Sequence, residues 1–338
     1  MHIELPTYGA DRSGMVCGFL FSPNSAGRPI VAQEALEWLA RGAEATADEF
    51  LWLHFSLANA GTEKWMRDHL ALTEAFQETL GSGSQSTRIE YADEKLIAVV
   101  NDVLFEFSFG ASEISTLWLS VDPRLVVSAR RKPLRSIDRL RAAVKHRAVF
   151  RSSVELLVHL LRDQGDVLVQ IVRDATVRVD RLEDRLLAER LETRRLDLGA
   201  LRRVLVRLQR LLAPEPAALF RFLNRPPAWI DEADVQELRQ SSEEFSVALS
   251  DMSALLERIK LLQEEIAAQV NQQNNRSLFL LTIFTVLALP INIVAGLFGM
   301  NVGGIPMGQD DHGFWTIVGL VAAFTVPALW IVRRRRRD

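Results

Sequence analysis

The sequence predicts an α+β domain followed by long α-helices and two C-terminal transmembrane helices. Three observations carry this. Short segments rich in β-branched and aromatic residues recur through positions 1–150. Neither proline nor glycine interrupts the chain between Pro227 and Pro290. Two runs near the C-terminus, 277–309 and 313–332, contain no charged residue.

The N-terminal 150 residues alternate the two periodicities. Residues 15–21, 50–57, 87–91, 96–107 and 114–127 read as strands, because branched and aromatic side chains fit a pleated, half-buried surface. Residues 31–41 and 62–80 carry apolar side chains at helical spacing. Gly81, Ser82, Gly83 and Ser84 read as a flexible break, and a helical region starts at 134–150.

Residues 151–230 read as a helical hairpin region with amphipathic, charge-laden helices. Arg181 and Asp184, and Arg185 and Glu189, stand one turn apart, which reads as a solvated helix face rather than a catalytic site. Ala213-Pro214 and Pro226-Pro227 break the helices, since proline lacks the donor a helix interior needs. Asp231 or Asp234 can cap the next helix, a stalk over 231–276 that continues into the first apolar run. From Val235 that makes about 60 residues, or roughly 90 Å at about 1.5 Å each.

Residues 277–338 form the membrane part. A helix needs about 20 apolar residues to cross a hydrocarbon core of about 30 Å. Residues 278–298 and 314–332 each meet that length without a charge. Arg333, Arg334, Arg335, Arg336 and Arg337 follow the second run, whereas the connecting loop has Asp310, Asp311 and His312 and no Lys or Arg. The excess of positive charge on cytoplasmic flanks places the loop outside and both termini in the cytoplasm. The arginine run reads as a topology anchor that also binds anionic headgroups of the bilayer; a role in gating is the other reading.

Bulk properties exclude other classes. The 338 residues carry a net charge of −3, so no global basic field points to nucleic acid. Cys17 is the single cysteine, which rules out an intrachain disulfide and suits a reducing compartment. Residues 1–10 lack the apolar core of a signal peptide. No P-loop, glycine-rich nucleotide motif, zinc-enzyme spacing or nucleophile elbow is present, so no enzyme and no resident cofactor is expected.

The long helix carries a polar stripe. Steps of three and four pick out Asn275, Leu278, Thr282, Thr285, Leu289, Asn292, Gly296 and Gly299. Carried backward, the register meets Asn271, Ala268, Glu264, Leu261, Glu257, Ala254 and Ser250. A different face holds Met252, Leu255, Leu256, Ile259, Leu262, Ile266 and Val270. Polar side chains on one face of a span point at protein or water rather than lipid. Several copies around an axis satisfy both faces, with apolar flanks packed and the polar stripe lining a pore. The competing explanation is a membrane hairpin that dimerises through small and polar residues.

At the end of the first run stand Gly299, Met300 and Asn301, preceded by Pro290, Gly296 and Phe298. With two C-terminal spans, an acidic outer loop and a basic tail, this resembles the CorA family of divalent-cation transporters. The loop Gly303-Gly304-Ile305-Pro306, the stretch Trp52-Leu53-His54 with Trp65 downstream, and the run from Arg130 to Asp138 are most similar to the ZntB zinc-transporter branch. The resemblance implies a homopentameric funnel in a bacterial-type inner membrane, with a pore lined by the first span. It implies a selectivity filter at Gly299, Met300 and Asn301, with Asn301 as the outer ring. It also implies inner polar positions at Asn292 and Asn275, apolar constrictions at Leu278 and Leu289, and a funnel acidic ring at Glu264 with Glu257.

A ring of amide oxygens can hydrogen-bond the water shell of a hydrated ion without stripping it, which binds strongly enough to select and weakly enough to release. Asp310, Asp311 and His312 would concentrate cations at the mouth. The implied cargo is Zn2+, yet zinc prefers nitrogen and sulfur ligands and the spans contain no Cys, His or carboxylate. Zinc would therefore pass largely hydrated. Magnesium, cobalt or nickel are the alternatives within the family, although the magnesium branch often has an acidic loop after the tripeptide and this chain has no carboxylate there before Asp310, which counts against magnesium. His2, His69, His146 and His159 show no metal-ligand spacing, and His54 is expected to pack against the sheet. The branch is associated with proton-coupled uptake, but no titratable group lies in either span. A membrane-anchored metal sensor is the rival outside transport.

Overall fold

A computed structural model of the chain describes residues 10–41, 49–83, 86–110, 113–186, 191–300 and 312–335. It divides into two compact units, Met1–Leu262 and Gln263–Asp338.

The first unit is built on a seven-stranded sheet. The strands are β1 (Met15–Phe21), β2 (Arg28–Pro29), β3 (Phe50–Ser56), β4 (Arg88–Ala92), β5 (Lys95–Val103), β6 (Ile114–Val121) and β7 (Leu125–Arg130), in the spatial order β2-β1-β3-β7-β6-β5-β4. Only β3 and β7 pair in parallel; every other neighbour is antiparallel. Side chains alternate across a strand, and β3 shows what this does. Leu51, Leu53 and Phe55 enter one apolar cluster, while Phe50 and Trp52 enter the other. Both faces are covered, so the strand reads as an almost continuous apolar run. The first layer of helices is α1 (Ala32–Ala40), α2 (Thr62–His69) and α3 (Glu74–Ser82). The opposite layer includes α4 (Arg135–Lys145), α5 (Ser153–Leu186) and α7 (Pro214–Leu223), whose apolar residues join the second cluster.

Several boundaries depart from the sequence reading: β2 was not expected, and the strand expected over 96–107 is β5, which ends at Val103. Residues 114–127 are two strands. Pro123 cannot donate to a ladder, and Asp122 accepts from the backbone N–H of Arg124 at 2.9 Å and of Leu125 at 2.7 Å, closing a turn between β6 and β7. Residues 62–80 are two helices, the second capped where Thr73 Oγ1 accepts from Phe76 N–H at 3.2 Å. The glycine-serine break begins later than expected: α3 runs through Gly81 to Ser82 and ends on Gly83, whose φ of 60° is the left-handed conformation glycine tolerates. Ser84 lies outside the described residues.

After α5 come α6 (Leu191–Leu212), α7, which has Pro214 at its first position, and α8 (Glu232–Phe298), a helix of 67 residues. The ion pairs Arg162–Glu237 and Arg258–Asp180 join α5 to α8 at two levels, so these helices run parallel. Asp231 holds the N-cap position of α8, whereas Asp234 is buried and accepts from Ser152 Oγ at 2.8 Å. The charged face expected to be solvated is partly an interhelix clamp, because Asp180 and Glu183 both pair with Arg258. Glu189 lies outside the described residues.

The second unit contains the C-terminal part of α8 and α9 (Gly313–Arg335). The apolar part of α8 is long and apolar enough to cross a membrane, with a mean hydropathy of 2.4. The apolar stretch of α9 that meets the same composition, Gly313–Pro327, is shorter.

Candidate cation pathway

The two faces of α8 separate as the spacing requires. Met252, Leu255, Ile259, Leu262 and Ile266 are buried, and Leu256 and Val270 are half-buried. Ser250, Ala254, Glu257, Leu261, Glu264, Ala268, Asn271 and Asn275 are all exposed, including Leu261 at 56%. From Asn271 onward nearly the whole helix surface is exposed, so exposure no longer distinguishes the stripe there.

Within the apolar run the stripe has a definite hydrogen-bonding polarity. Thr282 Oγ1 donates to the carbonyl of Leu278 at 2.8 Å, and Thr285 Oγ1 to that of Leu281 at 2.9 Å. A hydroxyl has one proton and two lone pairs. Spending the proton on the preceding turn leaves each oxygen with acceptor capacity only, which suits the donor hydrogens of a cation's water shell. Leu278 and Leu289 bracket the threonines on the same stripe, and both are exposed, at 61% and 57%. Asn292 is exposed one turn beyond Leu289. Gly296 has open space where a side chain would stand. Gly299 has none: an added Cβ would lie 2.9 Å from the Ala295 carbonyl, the same carbonyl that accepts Gly299 N–H. Met300 is 51% exposed. Asn301, Asp310 and Asp311 lie outside the described residues. His312 is exposed just before α9, and its carbonyl accepts from Thr316 N–H and Oγ1. Arg333, Arg334 and Arg335 end α9; Arg336 and Arg337 lie outside the described residues. Glu257 pairs with Lys260 at 3.0 Å, so of the two funnel acids Glu264 is the one without an ion pair among the described residues.

Among the described residues no three His, Cys, Asp or Glu side chains are placed to hold a metal ion. Thr282 and Thr285 offer oxygen acceptors on one face of the helix.

Sequence reading placed His54 against the sheet, but it missed the partners of His54 and the buried acids Asp102 and Glu215 of the first unit. His54 is fully buried; its Nε2 accepts from Arg130 Nε at 2.9 Å and its Nδ1 faces Ser128 Oγ at 2.8 Å. Burial and the adjacent arginines push its pKa well below the usual histidine range. Asp102 accepts from Ser136 N–H and Oγ at 3.0 and 2.6 Å, with burial raising its pKa. Glu215 accepts from Gln164 Nε2 at 2.9 Å, and burial pushes its pKa up to about 8. Each group is a polar residue within an apolar segment, and its partner lies far away in sequence.

The sequence model of the CorA-like Mg2+ transporter protein family matches residues 47–334. The divalent cation transporter CmaX of Pseudomonas aeruginosa is 27% identical over 330 residues, covering 96% of this chain and 97% of that protein. The zinc transport protein ZntB of Yersinia enterocolitica is 23% identical over 294 residues, covering 87% and 90%. The structure of full-length CmaX superposes with a TM-score of 0.74 at 24% identity, over 96% of this chain and 99% of that one. The complete structure of the CorA magnesium transporter from Methanocaldococcus jannaschii gives 0.76 at 18% identity, over 94% and 97%. The structural likenesses establish the fold, and the match over 47–334 establishes the family: this chain belongs to the CorA-like Mg2+ transporters.

Proposed function

We propose that the chain carries divalent cations across a bacterial-type inner membrane, through a pore lined by α8 in a ring of five copies, with zinc as the cargo. The stripe on α8 carries this reading. Thr282, Thr285 and Asn292 share one face of an apolar run, and the threonine protons are spent on the helix itself. In this reading Asn301 forms the outer selectivity ring, with Gly299 and Met300 shaping its backbone. Asn275, Leu278, Leu289, Asn292 and Gly296 line the path, and Glu264 with Glu257 forms an acidic ring in the funnel. Asp310, Asp311 and His312 gather cations outside. α9 supplies the second span, both termini are cytoplasmic, and the arginines at 333–337 sit among anionic headgroups.

Zinc is supported by the loop Gly303-Gly304-Ile305-Pro306 and by similarity to proteins named for zinc transport. Magnesium is the second reading, favoured by the oxygen-only character of the stripe, since hard oxygen donors suit magnesium. Purified protein in liposomes, assayed for zinc and magnesium flux with and without an imposed pH gradient, separates these. Zinc flux supports the proposal, and dependence on the gradient adds proton coupling. Magnesium flux without zinc transfers the cargo to magnesium. Absence of flux for these two ions and for cobalt and nickel leaves the membrane-anchored sensor as the function.

A further inference from the structure

The N-terminal end of α7 packs against α5 and α8 through a buried acid. Glu215 is 4% exposed, and its Oε2 accepts from Gln164 Nε2 of α5 at 2.9 Å. The same Nε2 donates to the Asn101 carbonyl of β5 at 2.8 Å, so both amide protons of Gln164 are spent. Beside Glu215 is a small cavity of about 10 Å³, lined by Leu161, Leu219 and Phe245. Ser241 of α8 lines it too, 4% exposed and with no hydrogen-bond partner for its Oγ among the described residues. A cavity of that size admits about one water.

The charges around Glu215 do not favour its ionisation. On β5, Asp102 acts on it, and a second carboxylate opposes the charge. On α5, Asp163 and His159 pair with each other at 3.6 Å. On β4, which packs on α7, Arg88 and Glu90 pair at 2.7 Å. Arg210 of α6 and Arg221 of α7 itself are exposed. On α8 the cavity is lined by Ser241, Ser242 and Phe245, none of them charged. At its other end α7 is tied to α8: Arg239 donates to the Leu223 carbonyl at 3.3 Å, and Leu219, Phe222 and Leu223 share an apolar cluster with Val235 and Leu238.

We propose that Glu215 is a proton-operated latch: with its proton in place, and one water shared with Ser241, it closes α7 onto α8, and loss of the proton favours an opened junction. In the closed form the carboxyl donates to the water and the water donates to Ser241 Oγ. In the open form the carboxylate is hydrated and regains its ordinary acidity. Burial raises the closed-form pKa from 4.5 to about 8, so within that window the open fraction grows about tenfold per pH unit. Above it the closed form is ionised as well and the growth stops. The latch is a pH-responsive joint near the start of the helix that carries the polar stripe, and its bearing on transport rests on the pathway proposed above.

The test is amide hydrogen exchange of the full chain in mild detergent, read by mass spectrometry from about pH 5.5 to 9 and corrected for intrinsic rates. Peptides over 214–223 and 235–245 should lose protection about tenfold per unit up to about pH 8 and then level off. They should also exchange faster than peptides of β3 and β7. Glu215→Gln should remove the slope from those peptides. Ser241→Ala takes away a donor that reaches the ionised carboxylate through the water. Hydrogen bonds to a charged group are stronger than neutral ones, so the levelling point should move up by about half a pH unit. An unmoved levelling point overturns the shared water. A slope that persists in Glu215→Gln, or is missing from wild type, overturns the latch. A slope seen only in amides as slow as those of β3 and β7 also overturns it, because Glu215 then titrates on unfolding of the whole unit.

Discussion

Arg130 donates its Nε–H to His54 Nε2 across 2.9 Å, with His54 fully buried and Arg130 only 3% exposed. The contact fixes the tautomer. Because Nε2 accepts, the ring proton sits on Nδ1 and is given to Ser128 Oγ at 2.8 Å, which also accepts Trp52 Nε1–H at 2.9 Å. Protonating Nε2 would place two donors face to face beside a guanidinium.

The first prediction follows from that. His54 stays neutral in the fold, while in the unfolded chain it protonates near 6.5. The unfolded state thus binds the extra proton as pH falls below that value, and the stability contributed by neutral His54 is lost in that direction. Thermal melting from pH 7 to pH 5 should show a falling midpoint whose slope is reduced in His54→Leu. At pH 7.5 that variant should lose about 1–3 kcal/mol, the cost of leaving a buried donor without its acceptor. An unchanged slope would show that the histidine is not the titrating group.

Glu215 predicts the opposite trend. Its pKa is raised from 4.5 to about 8, so the folded chain holds a proton that the unfolded chain releases across that window. Stability should fall as pH rises from about 5 to 8 and level off above, where both states are ionised. Asp102 on β5 adds to the shift; Asp163 and His159 on α5 are paired with each other, and Ser241 of α8 lines the same small cavity without a charge. Glu215→Gln should flatten this slope and raise the melting temperature at pH 8.5. A variant that melts like wild type at that pH would place the charge elsewhere.

Thr282 and Thr285 are tested by shape-preserving changes. Valine keeps the volume but removes the oxygen; serine keeps the oxygen. Each Thr→Val change should slow cation flux about fivefold, the rate equivalent of a net hydrogen bond of about 1 kcal/mol. Thr→Ser should stay near wild type. Equal rates for valine and serine would mean that these oxygens do not face the ion.

Asn301→Ala should abolish cation uptake with expression and oligomer size unchanged. Normal flux through a correctly inserted variant would remove Asn301 from the selectivity role.

What could be read in advance tracks how local the determining interactions are. β1 was legible in full and β3 to within one residue, because their composition comes from burial between two helical layers. The separation of α2 from α3 was not, since residues 70–73 contain neither Gly nor Pro and the break depends on Thr73 finding Phe76 N–H. The β6–β7 turn was hidden within one apolar run, although Asp122 and Pro123 were its local signal. Between Ser250 and Val270 the exposed and buried faces of α8 followed from spacing alone. Arg258 bridging to Asp180 and Glu183 did not, because charges one turn apart along α5 look the same whether they face water or another helix.

The parallel pairing of β3 with β7 also sets an order of events during synthesis. β3 meets β1 at once through an antiparallel partner already made, but its other edge stays open until residues 125–130 leave the ribosome. Until then the nascent chain presents an apolar strand, Phe50–Ser56, with unpaired backbone donors and acceptors, the kind of edge that recruits foreign strands. Parallel pairs between distant segments close slowly. Slowing translation before β7 is complete should therefore lower the yield of folded protein, whereas a pause placed after Arg130 should not.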